Sequence, residues 1–271
     1  QLTIPRDENL TILVAISGGK DSAVLLERMH EKLGKRRNVT IVGGCVDEGI
    51  AGYRPPSLEC ARELCDSLGI RFETVSYPEL GFKEMDEVVE KIVHSNDKKT
   101  PCSYCGVFRR QGINHLAERV GADVIALGHN LDDMAQTIMM NMQNGDLERT
   151  LRLAPHTSTP LEGMAPRIVP LRWVPEQEVH LYAIHKKLPI HHEECPHGEG
   201  ALRFRHRDTI AMMEEDVPGT RHGLLRMADD VKKLHANSGE KRKTIPINCP
   251  ECGQMCSGTL CKACEMKKLM E

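Results

Sequence analysis

Two hydrophobic periods alternate along the first half of the chain. The apolar runs Thr11-Ile12-Leu13-Val14-Ala15-Ile16 and Thr40-Ile41-Val42-Gly43-Gly44-Cys45-Val46 read as buried strands, as do Arg71–Tyr77 and Asp123–Leu127. Between them apolar residues recur at helical spacing, on one stripe. Leu25, Leu26, Met29 and Leu33 mark a helix near 21–33. Ala61, Leu64, Cys65 and Leu68 mark a second, which Gly69 ends. Met85, Val88, Val89, Ile92 and Val93 mark a third. Ile113, Leu116, Ala117 and Val120 mark a fourth, following Cys105, and Met134, Ile138 and Met142 a fifth. Repeated βα units predict an α/β fold with a Rossmann-like parallel sheet covered on both faces. Ligands of such sheets bind beyond the carboxyl ends of the strands. Segments 17–22, 46–49 and 128–133 share that address. From about 205 to 248 the pattern is helical and charged, with a break at Pro218-Gly219. The expected divisions are 1–215, a helical segment and linker at 216–248, and a cysteine-rich tail at 249–271.

The first strand runs directly into Ser17-Gly18-Gly19-Lys20-Asp21-Ser22, and a helix follows. Glycines let backbone approach a ligand closely. The first helical turn offers unpaired N–H groups and a positive dipole end, an anion seat. The segment is not a Walker A loop, because Lys20 is followed by Asp21 and the first glycine is missing. The plain alternative is an ordinary βα turn with two glycines.

Composition narrows the field. The chain has 271 residues and a net charge of −3, so RNA binding, if any, comes from local patches. Aromatics make up 3%, too few for a base-stacking platform. No run of 18 apolar residues is present to form a spanning helix, and the start is not a secretory signal. Eleven cysteines without an export signal argue for metal binding or catalysis rather than disulfides.

The cysteines fall into two constellations. Cys249-x-x-Cys252 and Cys261-x-x-Cys264, eight residues apart, present four thiolates, which suits tetrahedral structural zinc. A 23-residue tail cannot bury a useful core, so metal must supply its folding energy. Cys256 is a spare. Cys102-x-x-Cys105 has no second pair, and Cys195 is the remaining partner candidate. Three thiolates could hold an iron–sulfur cluster with one iron free. Zinc with a histidine from 191–197, a persulfide or disulfide pair, and plain buried cysteines are the alternatives.

Four ordered motifs carry a family resemblance: Ser17–Ser22, Val46-Asp-Glu-Gly-Ile-Ala-Gly-Tyr-Arg54, Cys102-Ser-Tyr-Cys-Gly-Val-Phe-Arg-Arg110 and Gly128-His-Asn-Leu-Asp-Asp133. Over roughly residues 10–230 the chain resembles the tRNA uridine 2-thiolation enzymes of the PP-loop ATP pyrophosphatase superfamily, whose fold is adenine nucleotide α hydrolase-like. The wording is closer to the wobble-uridine branch of archaea and eukaryotes than to the T-loop thiolases. The resemblance implies that Cys102, Cys105 and Cys195 ligate a 4Fe–4S cluster with one open iron. It implies an ATP site at Ala15, Ile16, Ser17, Gly18, Gly19, Asp21, Ser22, Val46, Gly128 and Asp133, with Mg²⁺. Lys20, Asp133 and Arg109 would be catalytic, although Arg109 stands where T-loop thiolases carry a lysine. The implied reaction adenylates the uridine O2 and replaces that oxygen by sulfur delivered on the open iron. Implied partners are tRNA, a sulfur donor (sulfide or a ubiquitin-like thiocarboxylate carrier) and a second copy of the chain, in the cytoplasm. Relatives carry a cysteine-rich zinc module ahead of the PP-loop, where this chain has ten residues before its first strand. That module is expected to be absent or removed.

Other residues have plainer readings. Asp47 could hold the metal, and Asp132 could be the N-cap of its helix. His129 is read as a pocket residue. Met134, Met139, Met140 and Met142 are read as core packing. Arg203, Arg205, His206, Arg207, Lys241-Arg242-Lys243, Lys262, Lys267 and Lys268 are candidate phosphate contacts. The competing functions are an adenylating ligase or amidotransferase without a cluster, a non-catalytic redox-sensing RNA-binding module, and a cytidine 2-thiolase, whose usual two C-x-x-C pairs differ from this arrangement.

Overall fold

The computed structural model describes residues 4, 8–94, 99–156, 164–198, 202–238, 247–256 and 258–270. Its frame is a five-stranded sheet: β1 (Leu10–Ala15), β2 (Val39–Asp47), β3 (Arg71–Ser76), β4 (Val124–Ala126) and β5 (Arg167–Ile168). The order is β3-β2-β1-β4-β5, and every pairing is parallel. The chain winds outward from β1 to β3, then crosses back to place β4 on the other side of β1. That reversal opens a crevice at the carboxyl edge beside β1. β5 was not foreseen: two residues carry no periodicity to read.

β1 is apolar throughout because both its faces are covered. Ile12 and Val14 point into one core with helices α1 (Lys20–Leu33), α2 (Arg54–Leu68) and, later in the chain, α7 (Glu176–His185). Leu13 points into the other, with α3 (Met85–Val93) and α4 (Pro101–Val120). This is the period of two expected of a strand. Ile12, Leu13 and Val14 are fully buried, worth about 1.5–3 kcal/mol each. α5 (Leu131–Gln143) and α6 (Leu147–Leu151) follow β4. α8 (Leu202–Asp216) and α9 (Thr220–Asn237) lie either side of the expected Pro218-Gly219 break. Leu131, Met134 and Ile138 of α5 pack against Leu225 and Ala228 of α9 in a third, small core. Met142, expected in the core, is 53% exposed.

α4 begins earlier than expected. Periodicity places its start after Cys105, but Thr100 caps it and Pro101 occupies the first turn, where a missing N–H costs nothing. Cys102 and Cys105 therefore stand on the first turns of a helix that Gly121 ends in the left-handed conformation.

The tail forms a two-residue hairpin, β6 (Ile247–Asn248) with β7 (Met255–Cys256), and α10 (Lys262–Leu269). It is not a satellite. Cys249, Cys261, Cys264, Met266 and Met270 belong to the same core as α3 and α4. Lys91 of α3 donates to the Met270 carbonyl, and Gln111 of α4 reaches Cys252 Sγ at 3.4 Å.

Candidate active site

The turn after β1 is built by its small residues. Gly18 has φ +86°, and a Cβ there would lie 2.0 Å from the Ser57 carbonyl oxygen, so only glycine fits between the turn and α2. Ser22 Oγ donates to the Gly19 carbonyl at 3.0 Å and accepts from the Ser17 N–H at 3.1 Å. Gly19 caps α1 with no side-chain cap, which leaves the helix N-terminus open toward the crevice.

The other expected segments converge there. Asn130 Nδ2 donates to Asp21 at 2.9 Å, and a Cβ on Gly128 would meet the Ser22 nitrogen at 3.1 Å. Arg54 donates to the Ser17 carbonyl at 2.9 Å and to the Val46 carbonyl. A cavity of about 600 Å³ opens over the turn, and its wall includes Ser17, Gly19, Lys20, Asp21, Asp132 and Glu176. Ala15 and Ile16 lead into the turn; Ile16 is buried and its N–H is bonded to the Gly44 carbonyl at 2.8 Å.

The charges on the cavity wall are paired. Lys20 Nζ contacts Glu176 at 2.8 Å and Asp21 at 3.2 Å. Burial alone would lower the Lys20 pKa, but these two carboxylates outweigh it and hold the value above the ordinary one. Burial likewise works against ionised Glu176, yet Lys20, with Arg207 and His180, holds that carboxyl below its usual range. Burial pushes Asp21 up against the pull of Asn130 and Lys20.

The two adjacent aspartates exchange their expected places. Asp132 is not the cap of α5. Asn130 is, and its side chain accepts from the Asp133 N–H at 2.9 Å while Asp133 reaches back to the Asn130 N–H at 3.3 Å, a capping box. Asp132 turns to the cavity, accepts from the Glu176 N–H at 2.8 Å and pairs with Arg221 at 2.6 Å. Sequence reasoning missed Glu176 of α7 and Arg221 of α9, because local pattern carries no signal for such long-range pairs; Arg207 of α8, expected as a phosphate contact in the basic run, lies on the cavity wall. His129 is exposed and does not line the cavity. In the basic run, His206 is buried and bonded to Gln143 at 2.7 Å rather than presented to solvent. The Arg203 side chain and Lys241–Lys243 lie outside the described residues. Lys262 and Lys268 pair with Glu265 and Glu251 within the tail.

The thiols of Cys102, Cys105 and Cys195 come from two segments. Cys195 precedes a 3₁₀ turn, Pro196–Gly198, which His197 anchors to α3 through Asp86 at 2.6 Å. Cys102 Sγ stands 3.9 Å from the His197 carbonyl. Burial pushes the Cys195 thiol up, and charge on Cys105 and Cys102 adds to it against the His197 N–H, so the three groups feel one another. Arg109 Nη2 donates to Cys105 Sγ at 3.1 Å.

The thiols of Cys102, Cys105 and Cys195 do not meet the spacing of a single-ion site. Among the described residues, the one set of three or more metal-ligand atoms within 4.8 Å of one another is Cys249, Cys252, Cys261 and Cys264. Ligands of one zinc ion all lie about 2.3 Å from a common centre. The tail meets that demand, and the wider set at α4 does not. Cys249, Cys252, Cys261 and Cys264 also fit zinc by their chemistry. Burial opposes the Cys249 thiolate, but N–H donors of Cys261, Cys252 and Glu251 bring it down to about 6. Cys264 is driven far up by burial and by its neighbours Cys261 and Cys252.

A strand, glycine turn and open helix N-terminus at the switch point of a parallel sheet define the PP-loop class. The model for the PP-loop domain matches residues 1–210, and the chain belongs to that family. Within it, the chain belongs with the tRNA 2-thiolation proteins. It is 37% identical to the tRNA 2-thiolation protein NcsA of Haloferax volcanii, over 99% of this chain and 86% of the other. It is 38% identical to cytoplasmic tRNA 2-thiolation protein 1 of Chlamydomonas reinhardtii, over 93% and 69%. The solved U34-tRNA thiolase NcsA from Methanococcus maripaludis with its 4Fe–4S cluster superposes with a TM-score of 0.80 at 30% identity, covering 95% of this chain and 81% of that one. Among the described residues no helix is long and apolar enough to cross a membrane.

Proposed function

We propose that this chain is an ATP-dependent sulfurtransferase that converts a tRNA uridine, the wobble one, to 2-thiouridine in the cytoplasm. The observation that supports the reading is the run of contacts from Ser17 of the PP-loop through Arg54, Glu48 and Arg109 to Cys105, on the helix that also carries Cys102. In this reading residues 1–215 form the catalytic domain, 216–248 connect it, and 249–271 fold around Zn²⁺ held by Cys249, Cys252, Cys261 and Cys264.

The Ser17–Ser22 turn would seat the β,γ-phosphates of ATP on the open N-terminus of α1. Lys20 would exchange Glu176 for phosphate, and Arg207 and Arg221 face the same cavity. Mg²⁺ would enter with the phosphates, with Asp21 as a carboxylate ligand. The uridine O2 attacks the α-phosphorus, and pyrophosphate leaves. Sulfide, free or released from a carrier thiocarboxylate, attacks C2, and AMP leaves with the former O2. Cys102, Cys105 and Cys195 would hold a 4Fe–4S cluster whose fourth iron lacks a protein ligand and so offers a binding position for sulfur. Arg109, donating to Cys105, would stabilise negative charge at that end of the site.

The test is thiolation of tRNA by the anaerobically reconstituted protein with ATP and sulfide, read by mass spectrometry of nucleosides and mapped to position. 2-Thiouridine at the wobble position is expected. Activity surviving in Cys195→Ala, or product only in the T-loop, would overturn the reading.

A further inference from the structure

Glu48 belongs to the Val46–Arg54 motif, yet the reaction above gives it no task. It is 3% exposed, as is Arg54. One carboxylate oxygen lies 2.7 Å from Arg54 Nε, and the other 2.9 Å from Arg109 Nε. The remaining nitrogens of the two arginines serve different partners. Arg54 Nη1 donates to the Ser17 carbonyl at 2.9 Å, at the head of the glycine turn, and its Nη2 donates to the Val46 carbonyl. Arg109 Nη2 donates to Cys105 Sγ at 3.1 Å. Glu48, Arg54 and Arg109 all lie off the wall of the 600 Å³ cavity.

We propose that Glu48 is a positioning residue that ties the nucleotide turn at Ser17 to the thiol of Cys105 through Arg54 and Arg109. The proposal deepens the thiolase reading and rests on it: two substrates handled in succession need their two sites held at one separation. The planar guanidinium fixes the directions in which Arg54 meets the carboxylate and the two carbonyls, which a freely rotating ammonium does not. Among the described residues, Glu48 is the one carboxylate that forms an ion pair with both guanidiniums. Without it Arg54 is a buried cation left with the weaker pull of Asp47 as its carboxylate counter-charge, and such a group relaxes toward solvent or other acceptors. Its grip on Ser17 loosens as a consequence. Arg109, which touches nothing in the turn, then acts on ATP binding only by way of Glu48.

The experiment measures the Kd for ATP by calorimetry on the full chain purified without iron and without tRNA. Glu48→Gln is expected to weaken ATP about tenfold and Arg109→Met about threefold, the second without any contact to the cavity. The double variant is expected to bind no worse than Glu48→Gln, because both changes break one linkage. Val39→Ala, at the far end of β2, the strand that Glu48 follows, is expected to give a comparable loss of Tm and to leave the Kd within about twofold, which separates positioning from general destabilisation. Should Glu48→Gln fail to fold, Glu48→Asp replaces it, since the shorter side chain reaches only one arginine. An unchanged Kd in Arg109→Met, or losses that multiply in the double variant, would overturn the proposal. Thiolation is not read in this assay, so its failure and the failure of the thiolase reading are told apart.

Discussion

Replacing Gly18 by alanine probes the nucleotide turn at its tightest point. The added Cβ would sit 2.0 Å from the Ser57 carbonyl oxygen and 2.7 Å from its carbon, both backbone atoms of α2 that cannot swing aside. The residue also holds φ +86°, where a side chain costs about 1–2 kcal/mol. Relieving the overlap by shifting backbone adds roughly 1–3 kcal/mol. The sum is about 2–5 kcal/mol, and at roughly 2–4 °C per kcal/mol Tm should fall by about 4–20 °C. Gly19→Ala is the internal control: its Cβ would meet only Ser17 Oγ at 3.5 Å, and its φ is −88°. Calorimetric melting and ATP titration of the two variants check the contrast. Where the turn yields instead of α2, the Tm loss shrinks and ATP binding collapses. A Gly18→Ala protein with Tm within a degree of Gly19→Ala and an unchanged Kd for ATP would refute the steric reasoning.

Three further outcomes follow from the paired charges and the docked tail. Glu176→Gln frees Lys20 for phosphate, and an ion pair of this exposure is worth at most about 1 kcal/mol, so ATP should bind up to about fivefold tighter at pH 7.5. The folded pKa of Glu176 is depressed, so its stabilising contribution is present above the ordinary carboxylate value near 4.5 and lost as pH falls through the folded one. Acid melting curves of Glu176→Gln should accordingly be flatter on that limb, and parallel curves would contradict the assignment. Lys232 is brought down from 10.5 to about 8 by burial and by Arg172, so between those values the unfolded chain binds more protons and stability rises with pH. Lys232→Met should be more stable than wild type at pH 7, with the gap narrowing from pH 8 to 10.5; a gap that widens would reverse the sign. If the tail holds zinc as proposed, stripping it with a chelator should raise amide exchange in α10 and in α4 together, because Cys249, Cys261 and Cys264 share a core with Phe108 and Leu116. Exchange confined to the tail would show it to be an independent module.

Much of this protein was written locally. Strands β1 to β4 and helices α1 to α5 declare themselves because each buries a face whose spacing, two or 3.6, survives in any window of the chain. The glycine turn was legible for a similar reason: Gly18, Gly19 and Ser22 make their bonds within six residues of one another. The four tail thiols likewise lie in two short knuckles.

Sequence alone therefore determined the α/β class, the anion seat after β1 and the candidate ligands in the tail. Tertiary structure decided which distant groups meet. The Asn130–Asp133 capping box is local, but the partners of Asp132 are not: the placement of α7 and α9 turns it toward Glu176 and Arg221. Cys195 reaches the neighbourhood of Cys102 because His197 pins its turn to Asp86 on α3, more than a hundred residues earlier. Glu48 joins Arg54 to Arg109 only because β2 ends beside α4. Short-range order follows from the repeat of side chains along one element, whereas a charge pair between elements depends on strand order and helix docking, which no window of sequence contains.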